Sequence, residues 1–204
     1  DDSGAFAPND SITRGEFARW LVMANNAIWA ADPGKQIQPS QATISAYPDV
    51  PTTHADYPYI QGLHDAGFSV GFDDQTFRPD APLTREQMIA MKEAVDHGGV
   101  DPFFVQSWDS TMPGWTDRDE IDPQFRGAVA EDSAFDARFP EFAVQNVLRT
   151  WGIADTFRPK AQVTRAEAAL CLWKIGSHVE TTNEGDEPRS AEDVLAAQPS
   201  PSST

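Results

Sequence analysis

The stretch Phe77-Arg78-Pro79-Asp80-Ala81-Pro82-Leu83-Thr84-Arg85-Glu86-Gln87 decides the fold, because it occurs three times in this chain. An earlier copy runs Phe6-Ala7-Pro8 to Ile12-Thr13-Arg14-Gly15-Glu16, and a later one Phe157-Arg158-Pro159 to Val163-Thr164-Arg165-Ala166-Glu167. The phenylalanine stands eight residues before the arginine in every copy, while the arginines lie 71 and 80 residues apart. A constant interior with variable spacers means one small unit built three times, with loops of different length between the copies.

Each phrase reads as a loop running into a helix start. Thr13, Thr84 and Thr164 suit the N-cap, where a hydroxyl accepts from an otherwise unpaired backbone N–H. Glu16, Gln87 and Glu167 follow three residues later and complete a capping box. Pro8, Pro79 and Pro159 are expected to hold the incoming chain extended. Apolar residues then recur at helical spacing: Phe17, Trp20, Leu21, Ala24 and Ile28; Met88, Met91 and Val95; Ala168, Cys171, Leu172 and Ile175. Gly98-Gly99 and Gly176 read as helix stops. A second kind of helix precedes the phrase in the later copies. Its stripes are Tyr59, Ile60, Leu63 and Ala66, ended by Gly67, and Val144, Val147, Leu148 and Trp151, ended by Gly152. The fold expected is mainly α, each copy a helix–loop–helix and the first incomplete.

The pattern resembles the S-layer homology (SLH) family. The residues that carry the resemblance are the Thr-Arg phrases, the Gly67–Asp74 loop, and the openings Tyr47-Pro48-Asp49-Val50 and Trp115-Thr116-Asp117. The likeness is strongest over 47–96 and weakest over 100–140. It implies three modules in a pseudo-threefold arrangement around a central helical bundle. It also implies non-covalent anchoring to cell-wall polysaccharide, often one bearing a pyruvylated sugar, through grooves between modules. On that basis residues 1–46 hold a partial first module and linker, 47–99 the second, and 100–178 the third with an insertion. Residues 179–204 form an acidic, flexible tail, with a helical turn or two from Ser190. The expected location is the cell envelope or surface. The irregular third copy and the 100–140 insertion also resemble, more loosely, the cyanobacterial and plastid branch of the family. There the fold serves as a scaffold for protein contacts, in a membrane-associated, thylakoid-type setting.

Arg14, Arg85 and Arg165 fall at the first helical position, where the helix dipole disfavours a cation by ~0.3–1 kcal/mol. Compensation comes either from the protein's own acids, such as Glu86 or a loop aspartate, or from an anionic ligand. Helix-start N–H groups and a guanidinium fork suit a carboxylate on a sugar ring that stacks on an aromatic side chain. Arg78 and Arg158, just before the cap, are positioned to join such a pocket; position 7 is alanine. Arg85 ranks first, then Arg14, then Arg165. The third copy has a shorter loop before its phenylalanine than the second, which alters its groove.

Composition narrows the function classes. With 15 basic and 32 acidic residues the formal charge is −17, so the basic face that nucleic acid requires is missing. No apolar run reaches membrane-spanning length. One cysteine precludes an internal disulfide and a Cys-based zinc site. His54, His64, His97 and His178 lack ligand spacing, Asp73-Asp74-Gln75-Thr76 lacks the features of a calcium loop, and Cys171 lies on a buried stripe. The reading is therefore a non-enzyme without metal or cofactor. Its partner is a wall polysaccharide or peptidoglycan-linked polymer, or else a protein. The aromatics Trp115, Phe125, Phe135 and Phe139 either cap the core or form a docking surface.

Overall fold

The computed structural model describes residues 6–68, 71–100, 102–138, 146–176 and 188–197. The helices are α1 (Arg14–Ile28), α2 (Tyr57–Asp65), α3 (Arg85–Asp96), α4 (Pro102–Thr111), α5 (Arg126–Arg138), α6 (Asn146–Trp151), α7 (Arg165–Cys171) and α8 (Ala191–Ala197). A two-stranded hairpin, β1 (Lys174–Ile175) with β2 (Arg189–Ser190), is the sheet among the described residues. The fold is mainly α.

The capping boxes form where the repeat puts them. Thr13 and Thr164 accept from the N–H groups of Glu16 and Glu167, which accept in return from the threonine N–H groups. The second box is looser, with Gln87 Oε1 3.3 Å from the Thr84 nitrogen. Gly67 and Gly152 follow α2 and α6 with φ of 83° and 70°, the left-handed turn that glycine takes without strain.

The residue before each cap joins the copies. Ile12 N–H donates to Val163 O, Val163 N–H to Leu83 O, and Leu83 N–H to Ile12 O, at 2.9–3.0 Å. One extended residue cannot satisfy its own backbone groups, so each copy borrows from another and the three bonds close a ring. Their side chains are fully buried at the centre. The next residues continue the cycle: the N–H groups of Arg14, Arg85 and Arg165 donate to Ala81 O, Ala161 O and Asp10 O.

From that ring α3 runs through the protein interior, with every residue from Met88 to Asp96 buried. Its charged side chains are therefore internal. Lys92 pairs with Asp96, while the Asn146 amide donates to Glu93 at 2.7 Å and to Asp96 at 2.9 Å. Asp132 of α5 accepts from the N–H groups of Asn146 and Val147, at the start of α6.

Three expectations are corrected. The chain before the caps is not extended: Ala7, Arg78 and Arg158 are left-handed, with φ of 46°, 58° and 58°, and turns follow at each proline. Helix α7 ends at Cys171, and Ile175 lies in β1, paired with Arg189. Gly176 is not a helix stop but a close-contact site: a Cβ there would lie 2.2 Å from the Asp96 carbonyl oxygen. Its N–H donates to Asp96 Oδ1 at 2.8 Å and its carbonyl accepts from the Trp29 indole at 3.0 Å.

The stretch 100–140 is mostly helical. Phe125 is buried, and Trp115 stacks on Phe157 at 4.8 Å, so both serve the core; the side chains of Phe135 and Phe139 lie outside the described residues. Val144, His178, Glu180, Glu184, Asp186 and Glu187 also lie outside them. In the described part of the 179–204 segment, β2 pairs with β1 and α8 packs on α1.

Candidate functional site: an arginine groove between repeats

The left-handed arginines are held by aspartates from the preceding turn. Asp49 accepts from Phe77 N–H at 2.9 Å and Arg78 N–H at 2.6 Å; Asp117 accepts from Phe157 N–H at 2.9 Å and Arg158 N–H at 2.7 Å. Charge-assisted bonds to two successive amides offset the ~1–2 kcal/mol that a left-handed non-glycine residue costs. The aromatics that open those turns, Tyr47 and Trp115, pack on Phe77 and Phe157.

Each helix-start arginine reaches from its own copy into another. Arg14 Nε donates to Phe77 O at 2.8 Å, Arg85 Nη1 to Phe157 O at 3.1 Å, and Arg165 Nε to Phe6 O at 2.9 Å. An aromatic ring lies against each guanidinium: Phe72 at 4.6 Å, Trp151 at 4.5 Å and Trp20 at 4.6 Å. Two arginines meet the capping glutamate of the other copy, Arg85 with Glu167 at 3.3 Å and Arg165 with Glu16 at 3.0 Å. The acid expected beside Arg85 is engaged elsewhere: Glu86 pairs with Lys160 at 2.6 Å and accepts from Asp122 N–H. Burial alone would lift the Glu167 carboxyl. Bonds from Thr164 and the Trp151 indole, together with Arg85, hold it below its ordinary value instead.

The cyclic counterpart of Glu167 and Glu16 for Arg14 is Gln87, which carries no charge. Arg14 is only 1% exposed, and burial brings its pKa down to about 10. Phe72 and Phe77 lie at 4.6 and 4.7 Å from its guanidinium carbon. The loop over it is long, with nine residues between Gly67 and Phe77. Phe72 sits between Arg14 and Arg78, whose guanidinium is 3.9 Å from the ring and pairs with Asp74 at 2.8 Å. Gln124, preceding α5, donates to Gly71 O and pins the loop down.

Only four residues separate Gly152 from Phe157, and a hollow of about 600 Å³ opens there. It is lined by Arg85, Asp117, Glu120, Trp151, Ala154, Thr156 and Arg158. The Arg85 side chain is 14% exposed, and burial lowers its pKa while Glu167 opposes that. Arg158 is exposed, and its guanidinium pairs with no carboxylate among the described residues. Asp117 is engaged by its two backbone N–H bonds, and Glu120 stands on the rim.

The structure thus brings Arg85 and Arg158 together in an open hollow, buries Arg14, and ties Arg78 to Asp74. Arg165 lines none of the principal hollows of the described residues. Trp151 and Trp20 were legible only as helix-stripe residues, and Glu167 and Glu16 only as caps. The signal for their second task was the glutamine in the second copy, set against glutamate in the other two.

Among the described residues no group of three or more His, Cys, Asp and Glu could hold a metal ion. Burial pushes the Cys171 thiol up to about 12, which leaves it inert as a nucleophile near neutrality. No helix among the described residues is long and apolar enough to cross a membrane.

The family model of the S-layer homology domain matches residues 1–18, 46–89 and 152–169, each span containing one copy of the phrase or its core. The chain therefore carries S-layer homology sequence in three regions. It is 28% identical, over 85% of its length, to an endoglucanase of Bacillus sp. (strain KSM-635), of which it spans 16%. It is 26% identical, over 57% of its length, to a cellulosome-anchoring protein of Acetivibrio thermocellus, of which it spans 25%. The chain therefore corresponds to a quarter or less of either relative.

Proposed function

We propose that this chain is a non-catalytic module fastening the protein that carries it to an anionic, pyruvylated cell-wall polysaccharide, at the Arg85–Arg158 groove. The location is the cell envelope, and the modules run 1–46, 47–99 and 100–178 around a shared centre. The observation that carries the reading is Arg158, exposed and without a carboxylate partner among the described residues, beside Arg85 laid over Trp151. A carboxylate fixed on a sugar ring takes paired hydrogen bonds from a guanidinium, and the ring's C–H face packs on the indole. An overall charge of −17 repels a polyanion at long range, but screening beyond ~8 Å leaves a local pair of arginines effective. The Acetivibrio relative is a cellulosome-anchoring protein, and an anchoring role here agrees with that.

The test is co-sedimentation with purified wall sacculi, before and after chemical removal of their acidic polymer. Binding is expected only to polymer-bearing sacculi, and Arg85→Lys weakens it because lysine lacks the bidentate fork. Undiminished binding by the Arg85→Ala/Arg158→Ala double variant removes this mechanism. Capture of a protein with no carbohydrate assigns the fold to assembly scaffolding instead.

A further inference from the structure

Counted from the helix-start arginine, the fifth and eighth residues after it are covered in the first two repeats and bare in the third. In the first they are Arg19, paired at 2.7 Å with Asp56 just ahead of α2, and Val22, fully buried. In the second they are Ala90, buried, and Glu93, which meets Asp132 of α5. Helix α2 packs on α1 and α5 on α3, so each of these helices is roofed by a helix of the next repeat. In the third repeat the two positions are Leu170 and Trp173, 47% and 41% exposed although apolar. Beside Trp173 lies a hollow of about 450 Å³, walled also by Trp20 and Met23 of α1 and by Ala169 and Leu172. Arg19 is the charged residue of its described lining, so the surface suits an apolar face.

A second observation comes from the backbone. Ala7 is left-handed, φ 46°, like Arg78 and Arg158 at the same place in the later repeats. Those two are pinned through their N–H groups by Asp49 and Asp117. No carboxylate among the described residues meets the Ala7 N–H, so nothing there offsets the ~1–2 kcal/mol the conformation costs. Phe6, where that turn begins, stacks on Trp20 at 6.1 Å, at the edge of the hollow.

We infer that the hollow between α7 and α1 seats an amphipathic helix of the protein that carries this module, joined to the chain at Phe6 through a turn whose aspartate pins Ala7. The backbone cycle places it there. The Arg14 N–H reaches into the second repeat, the Arg85 N–H into the third, and the Arg165 N–H into the first, at Asp10 O. The roof over α7 therefore belongs to the first repeat, as α2 of the second repeat roofs α1. The helix presents apolar residues three apart, as Tyr57, Ile60 and Leu63 do on the buried face of α2, and covers Leu170 and Trp173 with them. One segment thus answers both the bare face of α7 and the unpinned turn at Ala7.

The probe is the second repeat's own opening segment, residues 47–76, attached ahead of Phe6 in place of residues 1–5, so that its final threonine meets Phe6 as Thr76 meets Phe77. Peroxide oxidation followed by peptide mass spectrometry reads the seat directly. Met23 is 55% exposed, while the buried Met88, Met91 and Met112 serve as internal references. In the extended chain Met23 is expected to oxidise about tenfold more slowly than in the parent, and the melting temperature to rise by about 5 °C. Leu170→Ser with Trp173→Ser cancels both gains, and in the parent chain leaves folding intact because both side chains are exposed. Asp49→Ala made in the attached copy returns part of the gain in melting temperature. Equal Met23 oxidation in parent and extended chains overturns the seat. Protection that survives the double serine variant puts the helix elsewhere and overturns it too. Met23 protection that grows with concentration of the parent chain assigns the hollow to a second copy, which overturns the joining at Phe6. A melting temperature unmoved by the aspartate change overturns the pinning of Ala7.

Discussion

Two loops of this chain begin at a left-handed glycine, end at a buried phenylalanine and lead to an arginine pinned by an aspartate, yet they yield opposite sites. The loop from Gly67 to Phe77 is long enough to fold back. It lays Phe72 between two guanidinium groups and seals Arg14. The loop from Gly152 to Phe157 is too short to do so, and leaves Arg85 on Trp151 beside an open hollow. The same residue type at the same helix position is therefore a core strut in one place and a groove wall in the other. Loop length makes the difference, and the counter-charge follows it: Gln87 on the Arg14 side of the cycle, Glu167 beside Arg85.

The sharpest break between the two is Arg14→Ala against Arg85→Ala. Truncating Arg14 strips a fully enclosed side chain and leaves Phe77 O without its Nε bond, so unfolding free energy should fall by ~3–5 kcal/mol. Arg85→Ala, partly exposed, should cost ~1 kcal/mol or less of stability while lowering wall affinity by ~100-fold. Urea unfolding and sacculus binding measured on both variants decide this. Similar stability losses for the two would erase the strut-versus-groove distinction.

Asp117→Ala and Asp49→Ala sharpen it further. Each removes two backbone N–H partners of a left-handed turn and should cost ~1–3 kcal/mol. Only Asp117→Ala should also weaken wall binding, because it frees the backbone that aims Arg158. Loss of binding in both variants would mean that the sealed loop takes part as well. A smaller effect belongs to Arg78→Ala, which breaks an exposed pair with Asp74: stability within ~0.5 kcal/mol of the parent and binding unchanged.

The subtlest effect lies between the two sites, in the buried cluster on α3. Glu93 is enclosed by Lys92 and Asp96 of its own helix, His97 just past the helix end, Glu131 and Asp132 of α5, and Asn146 of α6. Burial, then the neighbouring carboxylates, raise its pKa well above the ordinary 4.5. The native state therefore keeps a proton that the unfolded chain has lost, and stability falls as pH climbs from about 4.5 through the raised value. Asp96 works in the opposite sense: burial would lift its carboxyl, but Lys92 holds it low, so its stabilisation is lost as pH drops through that depressed value. Glu93→Gln, uncharged at every pH, should flatten the decline in melting temperature that sets in above about pH 4.5 and leave the acid limb intact. An unchanged slope there would put the proton on another group.

Much of the skeleton was legible because it is written locally. Thr13, Thr84 and Thr164 announce their helices through bonds that span three residues, and Gly67 and Gly152 announce where α2 and α6 stop. Helix α5 stayed hidden because its inward face carries Glu131 and Asp132, which erase the apolar stripe that periodicity reads. Helix α7 was read too long, since Ile175 continues the stripe but finds its backbone partner in Arg189, across a gap no local pattern encodes. The arginines were identified from their unfavourable place at helix starts. Their counter-ions were not, because Glu167 and Glu16 sit 82 and 149 residues away from the side chains they neutralise.

By itself the sequence determined a threefold-repeated, mainly helical chain with a cation at the head of each repeat, because capping and helical periodicity act between near neighbours. Only the tertiary structure decided which cation meets solvent. That depends on how far each loop can reach across its neighbour and on which carboxylate the folded chain brings within a few ångströms. Both are matters of distance in space, and sequence separation does not record them.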